Sequence, residues 1–225
     1  MTDLPPEADR VPPGGVVPDA RELDVRWAHA WRPEQVVARL DGVAAPWCVA
    51  AGWALDLFRG APSRPHGDLE IAVPAASFDA VRDRFPEYAF DAVGRGRIWP
   101  AADEETLAAT HQTWVRDPST GDFLFDVFRE PHDGGTWICR RDPRLRLPYD
   151  AVRAHTADGI PYLVPELVLL FKAKALRPKD ESDFRGALPL LDRARRARLR
   201  GWLERTHPGH AWTAALTSAA PSESG

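Results

Sequence analysis

Apolar and polar residues alternate most cleanly over residues 68–73, where Asp68, Glu70 and Ala72 fall on one face of a strand and Leu69, Ile71 and Val73 on the other. Pro74 ends that pattern, and the spacing over 75–85 predicts an amphipathic helix. Upstream, residues 33–40 read as a helix with proline in its first turn. Residues 47–51 read as a short buried strand, and 53–58 as a helix entered through Gly52. Further on, strands are predicted over 88–93, 113–115 and 123–128. The last two flank the turn-rich Asp117-Pro118-Ser119-Thr120-Gly121-Asp122, as in a hairpin. Short strands are also expected at 136–139 and on either side of Ala157-Asp158-Gly159. From Pro165 the period changes, and helices are predicted over 166–175, 181–191 and 195–204. The outline is an α/β (α+β) chain: a mixed sheet with flanking helices, then a helical C-terminal region.

The carboxylates on the 68–73 strand are the most informative feature. Side chains two positions apart on a strand point the same way, roughly 6–7 Å apart. Asp68 and Glu70 therefore repel each other unless a cation lies between them, and a divalent cation such as Mg2+ favours hard oxygen ligands of this kind. Asp126 interrupts the otherwise apolar Phe123-Leu124-Phe125-Asp126-Val127-Phe128, where an acid is expensive to bury unless paired or metal-bound. If its strand neighbours the 68–73 strand, Asp126 completes a three-carboxylate cluster, as metal ligand or general base. Glu130, on the same face, is a weaker candidate base.

Cations and turns near these acids extend the picture. Gly52 opens a helix, where backbone N–H groups can approach phosphate oxygens. Arg64 and His66, in the loop before Asp68, are candidates to meet a phosphate or a carboxylate. The chain holds 26 arginines but only three lysines, Lys172, Lys174 and Lys179, all at the end of one predicted helix and its exit. Lys172 is the candidate to reach a triphosphate, while Lys174 and Lys179 fit a solvated helix end. The arginine run from Arg193 to Arg200 reads as a solvated helix face.

Bulk properties narrow the function classes. A net charge of -4 argues against general nucleic-acid binding, although a nucleotide substrate needs only a few local cations. No apolar run is long enough to span a bilayer, and the N-terminus shows no signal pattern, so cytoplasm is the expected location. Cys48 and Cys139 are expected as free thiols. No Cys/His cluster suggests structural zinc.

Taken together, Ala51-Gly52-Trp53-Ala54-Leu55-Asp56 and Arg64-Pro65-His66-Gly67-Asp68-Leu69-Glu70 resemble the aminoglycoside adenylyltransferases of the nucleotidyltransferase superfamily, in particular the 2''-adenylyltransferase branch. The stretches from Pro165 to Lys172 and from Lys179 to Phe184 are similar more loosely. The resemblance implies a nucleotidyltransferase fold, with Mg2+ held by Asp68 and Glu70 and with Asp126 as third ligand or base. It places Gly52 and Trp53 beside the phosphates of a nucleoside triphosphate, ATP being the expected co-substrate. The implied reaction moves a nucleoside monophosphate to a hydroxyl of a small molecule, an aminoglycoside-like antibiotic being the candidate acceptor and antibiotic resistance the implied role, and releases pyrophosphate. The Pro- and Gly-rich residues 1–20 read as a flexible or loosely docked arm and the Ser/Ala/Pro/Gly end as a disordered tail over 216–225, with a catalytic domain expected over 21–150 and a helical domain over 151–215.

Two positions depart from the family pattern. Ala51 stands where the family shows a glycine, and is strained if that position needs a positive φ. Glu70 stands where aspartate is commoner. A polycationic acceptor would want an acidic cleft, for which Asp103-Glu104-Glu105 and Asp122 are the candidates. The alternatives are a toxin–antitoxin type nucleotidyltransferase acting on tRNA or protein, and a nucleotide-binding relative without catalysis.

Overall fold

The computed structural model describes residues 12–217. The first part of the expected arm, 1–11, and residues 218–225 of the expected tail lie outside the described residues. In chain order the elements are α1 (Ala20–Arg26), α2 (Pro33–Leu40), β1 (Cys48–Val49), α3 (Ala51–Arg59) and β2 (Glu70–Pro74). A short 3-10 turn and α4 (Phe78–Arg82) follow, then β3 (Ala89–Gly94), β4 (Arg97–Trp99), α5 (Glu104–Ala109), β5 (Gln112–Arg116) and β6 (Phe123–Glu130). After these come β7 (His132–Asp133), β8 (Thr136–Ile138), β9 (Arg146–Pro148), α6 (Tyr149–Val152), β10 (Arg153–His155) and β11 (Pro161–Leu163). The chain closes with α7 (Pro165–Lys172), α8 (Pro178–Ala187), α9 (Arg193–Thr206) and α10 (Trp212–Thr217).

Eight strands form one sheet in the order β10-β11-β1-β2-β6-β5-β3-β4, and β7-β8-β9 form a small second sheet. The large sheet is mixed: β1 runs parallel to β11 and β2 parallel to β6, while the other pairs are antiparallel. Strands β10 and β11 belong to this sheet, so it extends past residue 150, and the purely helical region begins at Pro165.

Alternation along β2 and β6 decides which side faces the core. Leu69, Ile71, Phe125 and Val127 are fully buried, and Trp31 stacks on Phe125 with Phe85 and Tyr88 around it. The opposite face carries Glu70, Asp126, Phe128 and Glu130. The helix expected over 75–85 is shorter: a 3-10 turn takes Ala75–Ser77 and the α-helix runs only over Phe78–Arg82. The helix expected over 166–175 stops at Lys172, where Arg141 donates to the carbonyls of Leu170 and Phe171. Elements α1, β4, α5 and α10 carried too few periodic positions to be read from sequence.

The described part of the N-terminal arm is docked. Val16 and Ile98 exchange backbone hydrogen bonds of 2.8 and 2.9 Å, and Trp99 Nε1 donates to the Pro13 carbonyl. This covers the β4 edge of the sheet. Both cysteines are free and buried. Among the described residues no helix is long and apolar enough to cross a membrane.

The arginine run of α9 is only partly a solvated face: Arg196 is buried and Arg195 half-buried, while Arg193 and Arg198 are exposed. Glu166 of α7 is 1% exposed and accepts from Arg195 at 2.9 Å and Arg198 at 2.6 Å, while Arg196 donates to the carbonyls of Leu191 and Leu188. Glu166→Gln removes a buried charge whose partners stay in place, and should cost about 2 kcal/mol. Urea unfolding checks this, and an unchanged midpoint would mean that the pairs tie α7 to α9 only weakly.

Candidate active site

The acidic cluster is set by sheet register. Glu70 and Asp126 are directly paired on the parallel strands β2 and β6, so their carboxylates stand side by side on one face. Asp68, two residues before Glu70, lies just outside the strand and is exposed. The backbone here is gripped from both sides: Ala50 N donates to the Glu70 carbonyl at 2.8 Å, and Asp126 N to the Leu69 carbonyl at 2.8 Å. Trp53 Nε1 donates to the Asp68 carbonyl at 3.1 Å, tying the third acid to α3.

Crowding of like charges at a buried place perturbs these acids. Burial, then the charges of Asp68 and Asp126, raise the Glu70 carboxyl well above its ordinary range, with Lys172 and Lys179 opposing. Burial pushes the Asp126 carboxyl up to about 7, against a 2.7 Å hydrogen bond donated by Gln112 Nε2 to Oδ2. The other oxygen of Asp126, Oδ1, is buried without a partner among the described residues. A carboxylate arranged this way is poised for a cation. Among the described residues no three acidic, histidine or cysteine side chains already form a closed metal cage.

The cluster borders a cleft of about 420 Å³. Gly52, Arg64, His66, Asp68, Glu70 and Lys172 all line it, whereas Trp53 and Asp126 are not among its lining residues. The cleft is basic: Arg64, Arg140, Arg141, Arg153, Lys172, Lys174, Arg177 and Lys179 line it against the acids Asp68, Glu70 and Glu130. Of the expected acidic patch, nothing reaches the cleft. Asp103 caps α5, Glu104 pairs with Arg82 and Asp122 with His29.

Arg64, His66 and Lys172 meet carboxylates. His66 Nε2 lies 2.6 Å from Asp56 Oδ2, its ring packs 4.6 Å from that of Trp53, and Ser63 donates to the other oxygen of Asp56. Arg64 forks onto Asp183 with two bonds of 3.3 Å. Lys172 Nζ is held between Asp183 at 2.9 Å and Asp180 at 3.1 Å. Burial alone would raise Asp180, but hydrogen bonds from Arg177 and Lys172 hold it down at about 2. Lys172 is therefore clamped rather than extended toward a phosphate. Lys174 and Lys179, which sequence reading assigned to a solvated helix end, are exposed at the cleft without an ion pair among the described residues.

Three acids of this frame were not singled out from sequence as site residues: Asp56, Asp180 and Asp183. Each is nearly or fully buried, at 4%, 0% and 2% exposure. The available signal was an acid set among apolar residues on a helix, as at Leu55-Asp56-Leu57.

The turn into α3 explains two neighbouring small residues differently. A Cβ on Gly52 would meet His66 Nδ1 at 2.6 Å and Arg64 Nη2 at 2.8 Å, so glycine is needed to seat that loop against the helix. Ala51 has φ 48°, the left-handed backbone that favours glycine.

The profile of the aminoglycoside-2''-adenylyltransferase family matches residues 34–112, a span that holds Gly52, Asp56, Asp68 and Glu70 but ends before Asp126. In a direct comparison with curated protein sequences nothing matches. Among solved structures, the chain is similar to the solution structure of the antibiotic-resistance factor ANT(2'')-Ia, at 14% identity and a TM-score of 0.52, covering 76% of this chain and 89% of that one. The crystal structure of ANT(2'')-Ia in complex with adenylyl-2''-tobramycin gives 12% identity and a TM-score of 0.52, covering 76% and 95%. The chain has the nucleotidyltransferase fold, and over 34–112 it resembles the aminoglycoside 2''-adenylyltransferases.

Ala51→Gly should relieve the left-handed strain and raise stability by about 1 kcal/mol; a lower melting temperature would contradict this. Asp126 gives a pH signature. Its folded-state pKa, about 7, lies above the unfolded value near 4, so the folded state holds the proton more tightly. Metal-free protein should therefore lose stability as pH rises through that window. Asp126→Asn should flatten the loss and be more stable at pH 8, by about 2 kcal/mol. Urea titrations at pH 5 and pH 8 test the sign, and parallel losses in both proteins would refute it.

Proposed function

We propose that this chain is a metal-dependent nucleotidyltransferase that moves a nucleoside monophosphate from a nucleoside triphosphate to a hydroxyl of a small molecule, releasing pyrophosphate. The observation that carries this reading is the paired register of Glu70 and Asp126 beside Asp68, with an unpartnered buried oxygen, at the wall of a basic cleft. ATP is the first candidate donor, because the structural neighbour with bound product carries an adenylyl group.

Asp68, Glu70 and Asp126 would hold Mg2+, which when bound supplies positive charge against the transferring phosphoryl group. Asp126, paired side by side with Glu70, would serve as metal ligand or as base for the acceptor hydroxyl. Lys174 and Lys179, free of ion pairs among the described residues, are the cations available to the phosphate chain. Arg64, His66 and Lys172 act as positioning residues: through Asp56, Asp180 and Asp183 they fix the loop that carries Asp68. In the transfer, the acceptor oxygen bonds to the α-phosphorus while the bond from that phosphorus to its bridging oxygen breaks. Pyrophosphate leaves, and the hydroxyl proton passes to a carboxylate of the cluster.

Calorimetry of ATP with and without Mg2+, on wild type and Asp68→Asn, tests the reading. Mg2+-dependent binding should weaken at least about tenfold in the variant. Absence of any ATP or GTP binding by the wild type would overturn the assignment.

A further inference from the structure

Asp126 has a different neighbour on each flank. On β2 its direct partner is Glu70, a like charge, and on β5 it is Trp114. Gln112 lies two residues before Trp114 on the same face of β5, opposite Phe128, which makes it a diagonal neighbour of Asp126 within reach of a long side chain. Its Nε2 donates to Asp126 Oδ2 at 2.7 Å, and Trp114 and the Thr113 backbone add to the hydrogen bonding of the same carboxyl. With Oδ2 engaged on the β5 side, Oδ1 is the oxygen without a partner among the described residues. The backbone that carries Gln112 is itself fixed to β6 by Arg129, which is 8% exposed and leaves the opposite face of β6 from Asp126. The Arg129 guanidinium donates to the carbonyls of Gln112, at 3.2 Å, and Leu107, and to the hydroxyls of Thr113 at 3.0 Å and Thr110 at 2.8 Å. His111 adds a further tie, its Nδ1 lying 2.9 Å from the Arg129 carbonyl. The amide of Gln112 is therefore a donor at a set place.

The kind of donor matters. Asp180 and Asp183 are met by Lys172, Arg64 and Arg177, cations that pair with their charge. Gln112 meets Asp126 with an uncharged N–H, which orients the carboxyl without taking the place of a cation. A carboxylate that ligates a metal needs such support: a donor on one oxygen stops the group from turning and leaves the other oxygen to the ion. Resting on the transfer reading above, we propose that Gln112 is a positioning residue for the metal, holding Asp126 by Oδ2 so that Oδ1 is presented to the cation shared with Glu70 and Asp68.

The test is titration of nucleotide-free protein with Mn2+ at pH 8, followed by the electron paramagnetic resonance signal of the free ion. Gln112→Met keeps the length of the side chain and removes the donor, and should weaken Mn2+ binding at least about tenfold. Gln112→His, which offers an N–H at similar reach, should restore most of that loss. Asp126→Asn keeps Asp68 and Glu70 as ligands. In that background Gln112→Met should change the affinity less than about twofold, because the glutamine acts only through the Asp126 carboxylate. Unchanged or tighter binding in Gln112→Met, an equal loss in Gln112→His, or an equal further loss in the Asp126→Asn background overturns the assignment. Asp68→Asn is measured beside them. No Mn2+ binding by the wild type, or undiminished binding in Asp68→Asn, overturns the transfer reading and this assignment with it. Weakened binding in Asp68→Asn beside unaffected Gln112→Met faults the Gln112 assignment alone.

Discussion

Repulsion between carboxylates is the constraint around which this molecule is arranged. Parallel pairing of β2 with β6 puts Glu70 and Asp126 side by side, and the approach to β2 adds Asp68. In a partly desolvated place such a group is costly as three anions. The fold leaves two of these acids with raised pKa values and gathers cations across the cleft. A second acidic tier, Asp56, Asp180 and Asp183, is held by a hydrogen bond with His66 and by ion pairs with Arg64, Lys172 and Arg177. The front tier is left open to a ligand, while the back tier is satisfied internally.

This division separates what sequence could reveal from what it could not. The alternation over 68–73 and the apolar run around Asp126 are local patterns, and they led to the cluster and to the mixed sheet. That β2 and β6 are neighbours, in a register that pairs Glu70 with Asp126, is a long-range fact no local pattern encodes. The same limit explains the lysines. Chain position alone suggested Lys172 for the phosphates, but α8 folds back and supplies Asp180 and Asp183 to claim it. Arg64 and His66 were legible as residues seeking an anion, and the anions turned out to be aspartates of α8 and α3.

The turn at residues 51–52 shows how one motif can serve two masters. Gly52 is small because His66 and Arg64 press against it, a packing demand. Ala51 adopts a left-handed backbone that favours glycine, a conformational demand met at some cost. Reading Gly52 as a phosphate contact alone would miss that packing reason.

The union of α7 with α9 bears on how the chain matures as it is made. Strand β1 acquires its partner β11 only after more than a hundred further residues have been synthesised, and Glu166, buried in α7, finds its arginines only when α9 has emerged. Until then the central sheet lacks a neighbour and a buried anion lacks its counterions. The cleft side of the sheet is thus completed only once β11 has been made, whereas Glu70 and Asp126 can already stand side by side when β6 has emerged.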